Sequence, residues 1–243
     1  MTRAGLAGVT AVAALLGAGV TWAVDRAAPG ALPLGDQARF DAAVRATLDA
    51  HPELINEALG KLQDRQTARL IEANRGAIVT PVASAWAGNP KGDVTLVEYY
   101  DYNCGYCRAS LPIIDQLLAS DPKLKIVYRD LPVLSPLSDT AARYSLAAAR
   151  AGKFQPFHDA LYKAGPVSDT TIAAAAAAAG LSVARLKAEA DSPQTDADIR
   201  LNLSMMRPLG LSGTPSWVIG DKVLVGAQSM DALRAAIAAA RKS

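Results

Sequence analysis

The spacing of apolar residues in the first third of the chain predicts two amphipathic helices. Phe40, Val44 and Leu48 recur every four residues, and Pro52 suits the first position of a second helix. The second helix carries one narrow apolar stripe, made by Leu54, Ile55, Ala58, Leu59 and Leu62. A narrow stripe needs a partner surface. We therefore interpret residues 37–78 as an oligomerisation segment, the alternative being a helix pair folded back on its own domain.

Shorter apolar runs after residue 80 predict alternating strands and helices. After a loop at 80–93, the pattern predicts a β-branched and aromatic strand at 94–100 (VTLVEYY), a helix at 104–119 and a strand at 124–129. A long helical stretch follows, which includes the alanine run 173–179. Strands at 216–219 and 223–225 then flank the tight turn Gly220-Asp221, and a helix at 230–240 comes last. The order β-α-β, helical insert, β-β-α predicts an α/β thioredoxin fold at 85–243, with a helical subdomain inserted at about 134–210.

The first 36 residues have a different composition from the rest. No charge interrupts residues 4–24 (AGLAGVTAVAALLGAGVTWAV), which follow Arg3. Residues 1–23 therefore form either a signal peptide cleaved after Ala23 or an uncleaved membrane anchor, and residues 24–36 form a linker rich in Pro and Gly. Both alternatives place the remainder of the chain in an oxidising compartment, where a dithiol can cycle.

Charge excludes one class of partner. The chain has 25 Lys and Arg against 23 Asp and Glu, and no basic stripe is interleaved with aromatic residues. We therefore expect no binding to nucleic acid.

The two cysteines of the chain, Cys104 and Cys107, lie where the first long strand leads into a helix (YYDYNCGYCRASLP). The free N–H groups and the dipole of a helix N-terminus favour a thiolate. We therefore predict that Cys104 is an exposed nucleophile. Cys107, one turn further, is then the buried thiol that resolves a mixed disulfide.

Two other interpretations of this cysteine pair, a structural disulfide and a zinc site, have less support. A disulfide that closes so short a loop adds little stability. A zinc site needs more ligands, and His51 and His158 lie in other segments without matching spacing. We expect neither a metal nor an organic cofactor, because the Cys104–Cys107 disulfide itself serves as the redox group.

The segment Gly213-Thr214-Pro215 precedes the strand SWVI. There, and at Pro112, the chain resembles the thioredoxin superfamily, whose members place a cis-proline loop opposite the reactive cysteine. A cis bond would expose the backbone of Thr214 to a substrate strand. The alternative is an ordinary trans proline in a turn. Thr214 and Pro215 are thus predicted to bind substrate, together with Gly105 and Tyr106 between the cysteines.

The segments VEYYDYNCGYC and GTPSWVI and the helical insert together resemble the DsbA family of exported thiol:disulfide oxidoreductases, over about residues 85–243. Residues 38–75 are similar to the N-terminal extensions of its trimeric branch, the suppressor-of-copper-sensitivity C (ScsC) proteins and their Com1-like relatives. This resemblance implies a periplasmic protein, and an uncleaved anchor at residues 4–24 would tether it to the inner membrane. It also implies a homotrimer, substrates that are unfolded or misfolded exported proteins, and a membrane partner that recycles the cysteines.

The residues between the cysteines bear on which activity dominates. Strongly oxidising DsbA enzymes have Pro-His there, whereas Gly105-Tyr106, with Thr214 before the proline, resembles the isomerase DsbC. We therefore expect a less depressed pKa for Cys104 and a disulfide isomerase or reductase activity. The alternatives are a monomeric DsbA-type oxidase and, in a different class, a periplasmic protein that binds Cu(I) through both thiolates.

Four further residues have both a functional and a structural interpretation. Glu98 is predicted to be buried in the strand before Cys104, where DsbA-type enzymes have an acidic residue thought to relay protons. Arg108 is interpreted as part of a solvated helix face rather than a partner of the thiolate. Met205 and Met206 are interpreted as helix core rather than as copper ligands.

Overall fold

The structure, a computed structural model, describes residues 37–242. The predicted signal peptide or anchor at 1–23 and the linker at 24–36 lie outside the described residues. The chain divides into two compact units, Met1–Lys61 and Leu62–Ser243.

The described part of the first unit is helical, as the apolar spacing predicts. Helix α1 (Gln37–Ala50) has no buried residue, and helix α2 (Glu53–Ala73) begins directly after Pro52. Six large apolar side chains of the two helices are 39–51% exposed in the single chain; they are Phe40, Val44, Leu54, Ile55, Leu59 and Leu62. We call these six residues the apolar stripe.

A five-stranded sheet forms the centre of the second unit. Its strands are β1 (Trp86–Gly88), β2 (Val94–Tyr100), β3 (Leu124–Asp130), β4 (Ser216–Ile219) and β5 (Lys222–Val225), in the spatial order β1-β3-β2-β4-β5. Strands β2 and β3 are parallel, and every other pairing is antiparallel. This is the thioredoxin-type sheet that the element order predicts.

Helices cover both faces of the sheet. They are α3 (Arg75–Val79), α4 (Gly105–Ser120), α5 (Pro136–Arg150), α6 (Phe154–Ala164), α7 (Asp169–Ala178), α8 (Val183–Ala190), α9 (Pro193–Ser204), α10 (Met206–Leu209) and α11 (Met230–Ala240). In five of these helices a serine side chain accepts a hydrogen bond from a free N–H group of the first turn, which fixes where the helix begins. The capping residues are Ser135, Ser168, Ser182, Ser192 and Ser229. The stretch between β3 and β4 is therefore helical, as predicted.

The prediction of a continuous loop at residues 80–93 is wrong, because strand β1 lies within it. This strand has only three residues and pairs with the edge of β3, with Trp86 opposite Val127. Three residues are too few to show an alternating pattern. The strand forms because the free edge of β3 supplies its hydrogen-bond partners.

The buried core of the second unit extends to residues before the sheet. Ile71 at the end of α2 and Ile78 in α3 are both fully buried, in a cluster with Val97, Tyr99 and Val127 of the sheet. The last turn of α2 and all of α3 therefore belong to the packed sheet unit.

No single helix within residues 37–242 is long and apolar enough to cross a membrane. Helices α7 and α8 reach the required length and composition only as a pair, and that pair is bent by 108°.

Arg129 ties α3 to the sheet and generates a stability prediction. It is 3% exposed, and its guanidinium donates to the carbonyls of Ile78, Ala77 and Thr80. Arg129→Met should lower the free energy of unfolding by about 3 kcal/mol, because buried carbonyls lose their donors. Urea denaturation measures this change. Arg200→Met removes an arginine that is 69% exposed and should change stability by less than about 0.5 kcal/mol. Equal effects of the two substitutions would contradict the prediction.

Candidate active site

The two cysteines lie at the N-terminus of helix α4, as predicted. Cys104 is the N-cap residue, and its sulfur accepts the backbone N–H of Cys107 at 3.4 Å. Both cysteines are free thiols in the structure. The prediction that Cys104 is exposed is wrong, since Cys104 is 6% exposed and Cys107 1%. The loop before β4 covers Cys104, and its sulfur lies 3.1 Å from the carbonyl oxygen of Thr214.

The environments of the two sulfurs drive their pKa values apart. The hydrogen bond from the Cys107 thiol is the main cause that lowers the pKa of Cys104 to about 5, and it outweighs the opposing effect of burial. Thr214 and the backbone N–H groups at the helix start lower that pKa further. Burial raises the pKa of Cys107 far above its usual range. At neutral pH the pair is therefore one thiolate and one thiol that donates to it.

The residues predicted to bind substrate surround Cys104. The bond between Thr214 and Pro215 is cis, and Pro215 is buried at the start of β4. Gly105 and Tyr106 form the first turn of α4, and Tyr106 is 70% exposed. The structure thus places the Thr214 backbone next to the Cys104 sulfur, and an exposed aromatic side chain two residues after Cys104.

Glu98 is buried beneath this site. It is 1% exposed and lies in β2 between Tyr128 of β3 and Trp217 of β4. Burial is the main cause that raises its pKa to about 8, and the charge on Cys104 adds to that effect. The carboxylate in turn contributes to the raised pKa of Cys107. The predicted burial of Glu98 is confirmed; its role as a proton relay stays a prediction.

The head group of Arg108 is not solvated, contrary to our interpretation. It donates to the carbonyl of Gly165 at 2.7 Å and lies 6.0 Å from the ring centre of Tyr162. Arg108 therefore links α4 to the end of α6. Met205 and Met206 pack against the buried cluster of the sheet, as expected for core residues. Within residues 37–242 no group of three or more His, Cys, Asp or Glu side chains is arranged to hold a metal ion.

A buried polar network behind the cysteines was missed by the sequence analysis. The hydroxyl of Tyr100 donates to Asp130 at 2.7 Å, and that of Tyr102 donates to Ser145 at 2.9 Å and lies 3.0 Å from Nδ1 of His158. Burial raises the pKa of Asp130 to about 7 and lowers that of His158 to about 3. Tyr100 at the end of β2 and Tyr102 two residues later were the only available signal, because their partners are distant in sequence.

Comparison with known proteins agrees with this geometry. The chain matches the family described as the DSBA-like thioredoxin domain over residues 95–238, and the copper resistance protein ScsC N-terminal domain over residues 36–69.

Three solved structures illustrate the similarity. A thioredoxin-like oxidoreductase from Silicibacter pomeroyi is 38% identical, with a TM-score of 0.67 over 70% of this chain and 99% of that one. The thiol-disulfide exchange protein alpha-DsbA2 from Wolbachia pipientis is 28% identical, with a TM-score of 0.67 over 73% and 97%. Proteus mirabilis ScsC in a transitional conformation is 26% identical, with a TM-score of 0.65 over 88% and 99%.

The curated relatives that the chain matches are much longer proteins. The Na(+)/H(+) antiporter NhaA of Herminiimonas arsenicoxydans is 31% identical over 166 residues, which are 68% of this chain and 27% of the antiporter. The chain thus spans about a quarter of the length of these relatives.

The low pKa of Cys104 predicts a specific titration. In the reduced protein, the thiolate absorbance at 240 nm should rise with a midpoint near pH 5, where an ordinary thiol has its midpoint near pH 9. Cys104→Ser should abolish that rise, because Cys107 keeps its proton throughout this range. A midpoint above about pH 8 in the reduced wild type would contradict the proposed sulfur environment.

Burial of Glu98 predicts a pH-dependent effect on stability. Its pKa rises from 4.5 to about 8 on folding, so the folded state binds this proton more tightly than the unfolded state. Stability is therefore lost as the pH rises through about 8. Glu98→Gln lacks the titrating group. Its free energy of unfolding, relative to that of the parent, should therefore increase between about pH 5 and pH 9. Urea denaturation in a Cys104→Ser background measures this without the thiolate's own titration. A pH-independent difference would contradict the prediction.

Proposed function

This chain belongs to the DSBA-like thioredoxin domain family, and from that premise we propose that it rearranges wrong disulfides in exported proteins. It is a thiol:disulfide oxidoreductase of the DsbA and ScsC type. The observation that carries the proposal is the asymmetry of the sulfur pair. Cys104 is a thiolate at neutral pH, and Cys107 is a buried thiol that donates to it.

The proposed reaction begins with the reduced protein. The Cys104 thiolate attacks one sulfur of a substrate disulfide, a mixed disulfide forms, and the other substrate sulfur leaves as a thiolate. In isomerisation that substrate thiolate attacks a different substrate disulfide, and a later substrate thiolate displaces Cys104. In reduction Cys107 loses its proton and displaces the substrate, which leaves a Cys104–Cys107 disulfide. We assign the ionised fraction of Glu98 as the nearby acceptor of the Cys107 proton. That fraction grows when Cys104 loses its charge in the mixed disulfide, because that charge raises the pKa of Glu98.

The substrate would lie along the loop before β4. The backbone of Thr214 is adjacent to the Cys104 sulfur, and an extended peptide can pair with such a backbone. Tyr106, which is 70% exposed, offers an aromatic surface to the same peptide. These groups recognise main chain and apolar surface rather than one sequence, which suits a range of unfolded substrates.

The preference for isomerase activity rests on two observations. The Cys104 pKa of about 5 is not one of them, because it is lower than the sequence led us to expect and a stabilised thiolate makes the disulfide more oxidising. Gly105-Tyr106 lacks the histidine of strongly oxidising relatives. The chain also matches the ScsC N-terminal domain over residues 36–69, where the apolar stripe is exposed. We propose that the stripe joins chains into a homotrimer, which raises the effective concentration of thiols around one substrate. A membrane protein outside this chain would keep the cysteines reduced in the periplasm.

The exchange activity itself is tested with the purified protein and insulin. Reduction of insulin by dithiothreitol should accelerate with the wild type and fall to the uncatalysed rate with Cys104→Ser, because the attacking sulfur is lost. Cys107→Ser serves as the matched control, since it should still form a mixed disulfide with substrate. Equal rates for wild type and Cys104→Ser would refute the assignment of Cys104.

The trimer prediction is tested on the apolar stripe. Deletion of residues 38–75 would remove the buried Ile71, so substitution is the cleaner approach. Leu54→Glu with Leu59→Glu should convert the protein to a monomer in light scattering, and lower the reactivation of scrambled ribonuclease about tenfold. Asn56→Glu introduces the same charge elsewhere on α2 and should leave both unchanged. A wild type that is already monomeric would refute the trimer and favour a monomeric oxidase.

A further inference from the structure

The carboxylate of Asp101 joins two loops at the active site. Asp101 is 2% exposed and lies between β2 and Cys104. Its Oδ1 accepts the backbone N–H of Asn103 at 2.8 Å, and its Oδ2 accepts those of Val133 at 2.9 Å and Leu134 at 3.0 Å. All three donors are main-chain groups, and a carboxylate, which has only acceptor sites, matches such a set. The segment before Cys104 is therefore fixed to the loop after β3.

The main chain of Asp101 contacts both cysteines. Its carbonyl accepts the N–H of Cys104 at 3.0 Å and the hydroxyl of Tyr162 at 3.1 Å. Its own N–H hydrogen-bonds to the Cys107 sulfur, which opposes the larger effect of burial on the Cys107 pKa. A displacement of Asp101 would therefore move the groups that hold both sulfurs.

The loop that Asp101 holds also carries two exposed apolar side chains. Val133 is 39% exposed and Leu134 54%. The side-chain amide of Asn103, the residue before Cys104, donates to the Ser135 hydroxyl at 2.8 Å. Two exposed apolar side chains therefore stand on the loop that is hydrogen-bonded to the residue before Cys104.

We propose that Asp101 is a positioning residue for disulfide exchange, because one buried carboxylate fixes both the Cys104 loop and the apolar loop at Val133 and Leu134. This inference rests on the proposed function and adds to it a determinant of how substrate meets the thiolate. The Asp101 carboxylate acts through the backbone groups that it holds rather than on the reacting sulfurs themselves.

Two substitutions at Asp101 test its hold on the Cys104 loop and on the loop at Val133 and Leu134 separately. In Asp101→Asn the amide must turn its NH₂ group toward some of the N–H donors, so at least one hydrogen bond is lost. We expect the Cys104 pKa to rise by about one unit, and kcat/KM for insulin to fall about tenfold. In Asp101→Ser the hydroxyl can still accept from Asn103, but it is too short to reach Val133 and Leu134. We expect Asp101→Ser to raise KM more than it lowers kcat.

The measurements use the full chain in its reduced form. They are the 240 nm titration of Cys104, steady-state kcat and KM with insulin, and thermal unfolding. Asp115→Asn is the matched control, because it makes the same chemical change at an exposed position of α4. It should leave the Cys104 pKa, kcat and KM unchanged.

The outcomes distinguish positioning from simple structural support. Wild-type pKa, kcat and KM in folded Asp101→Asn and Asp101→Ser would overturn the proposal, as would a loss of thermal stability alone. If Asp101→Asn does not fold, the KM of Asp101→Ser decides. A wild type that fails to exchange disulfides would refute the proposed function instead, and the titration of Cys104 would still test the role of Asp101.

Discussion

The proton on Cys107 is the feature on which the active site depends. Burial holds that proton on the inner sulfur, and the resulting thiol donates to the outer one, so a single hydrogen bond leaves a thiolate beside a protonated thiol. The backbone N–H groups at the helix start and the side chain of Thr214 lower the pKa of Cys104 further.

Two buried carboxyl groups in the sheet behind the cysteines keep their protons at a higher pH than carboxyl groups on a protein surface do. Glu98 and Asp130 lie on neighbouring strands, beside Tyr128 and Tyr100 respectively, and burial raises their pKa values to about 8 and about 7. The proposed resolution of a mixed disulfide requires Cys107 to lose its proton. Glu98 can accept that proton only in its ionised form, which is favoured once the charge on Cys104 is lost.

Helix α2 combines two kinds of residue along its length. Its first turns carry apolar side chains that remain exposed, whereas Ile71 near its end is fully buried with the sheet. Exposed leucine and isoleucine at regular spacing destabilise a solitary chain, because apolar surface stays in water. An assembly that covers these side chains would gain stability from their burial. This gain is the physical basis of the proposed trimer.

The sequence by itself determined the order of the four longer strands and of the helices around them, the position of both cysteines at a helix start and the burial of Glu98. These features follow from local periodicity and the geometry of a helix start, which act over a few residues. The Thr214–Pro215 loop was predicted from the resemblance to the thioredoxin superfamily. Only the tertiary structure decided that Cys104 is covered, that β1 exists, that Arg108 binds the carbonyl of Gly165, and that Asp101 joins two loops. Each of these depends on partners 30 or more residues away. Such contacts produce no periodic pattern in the sequence, because they form only when packing brings distant backbone groups together.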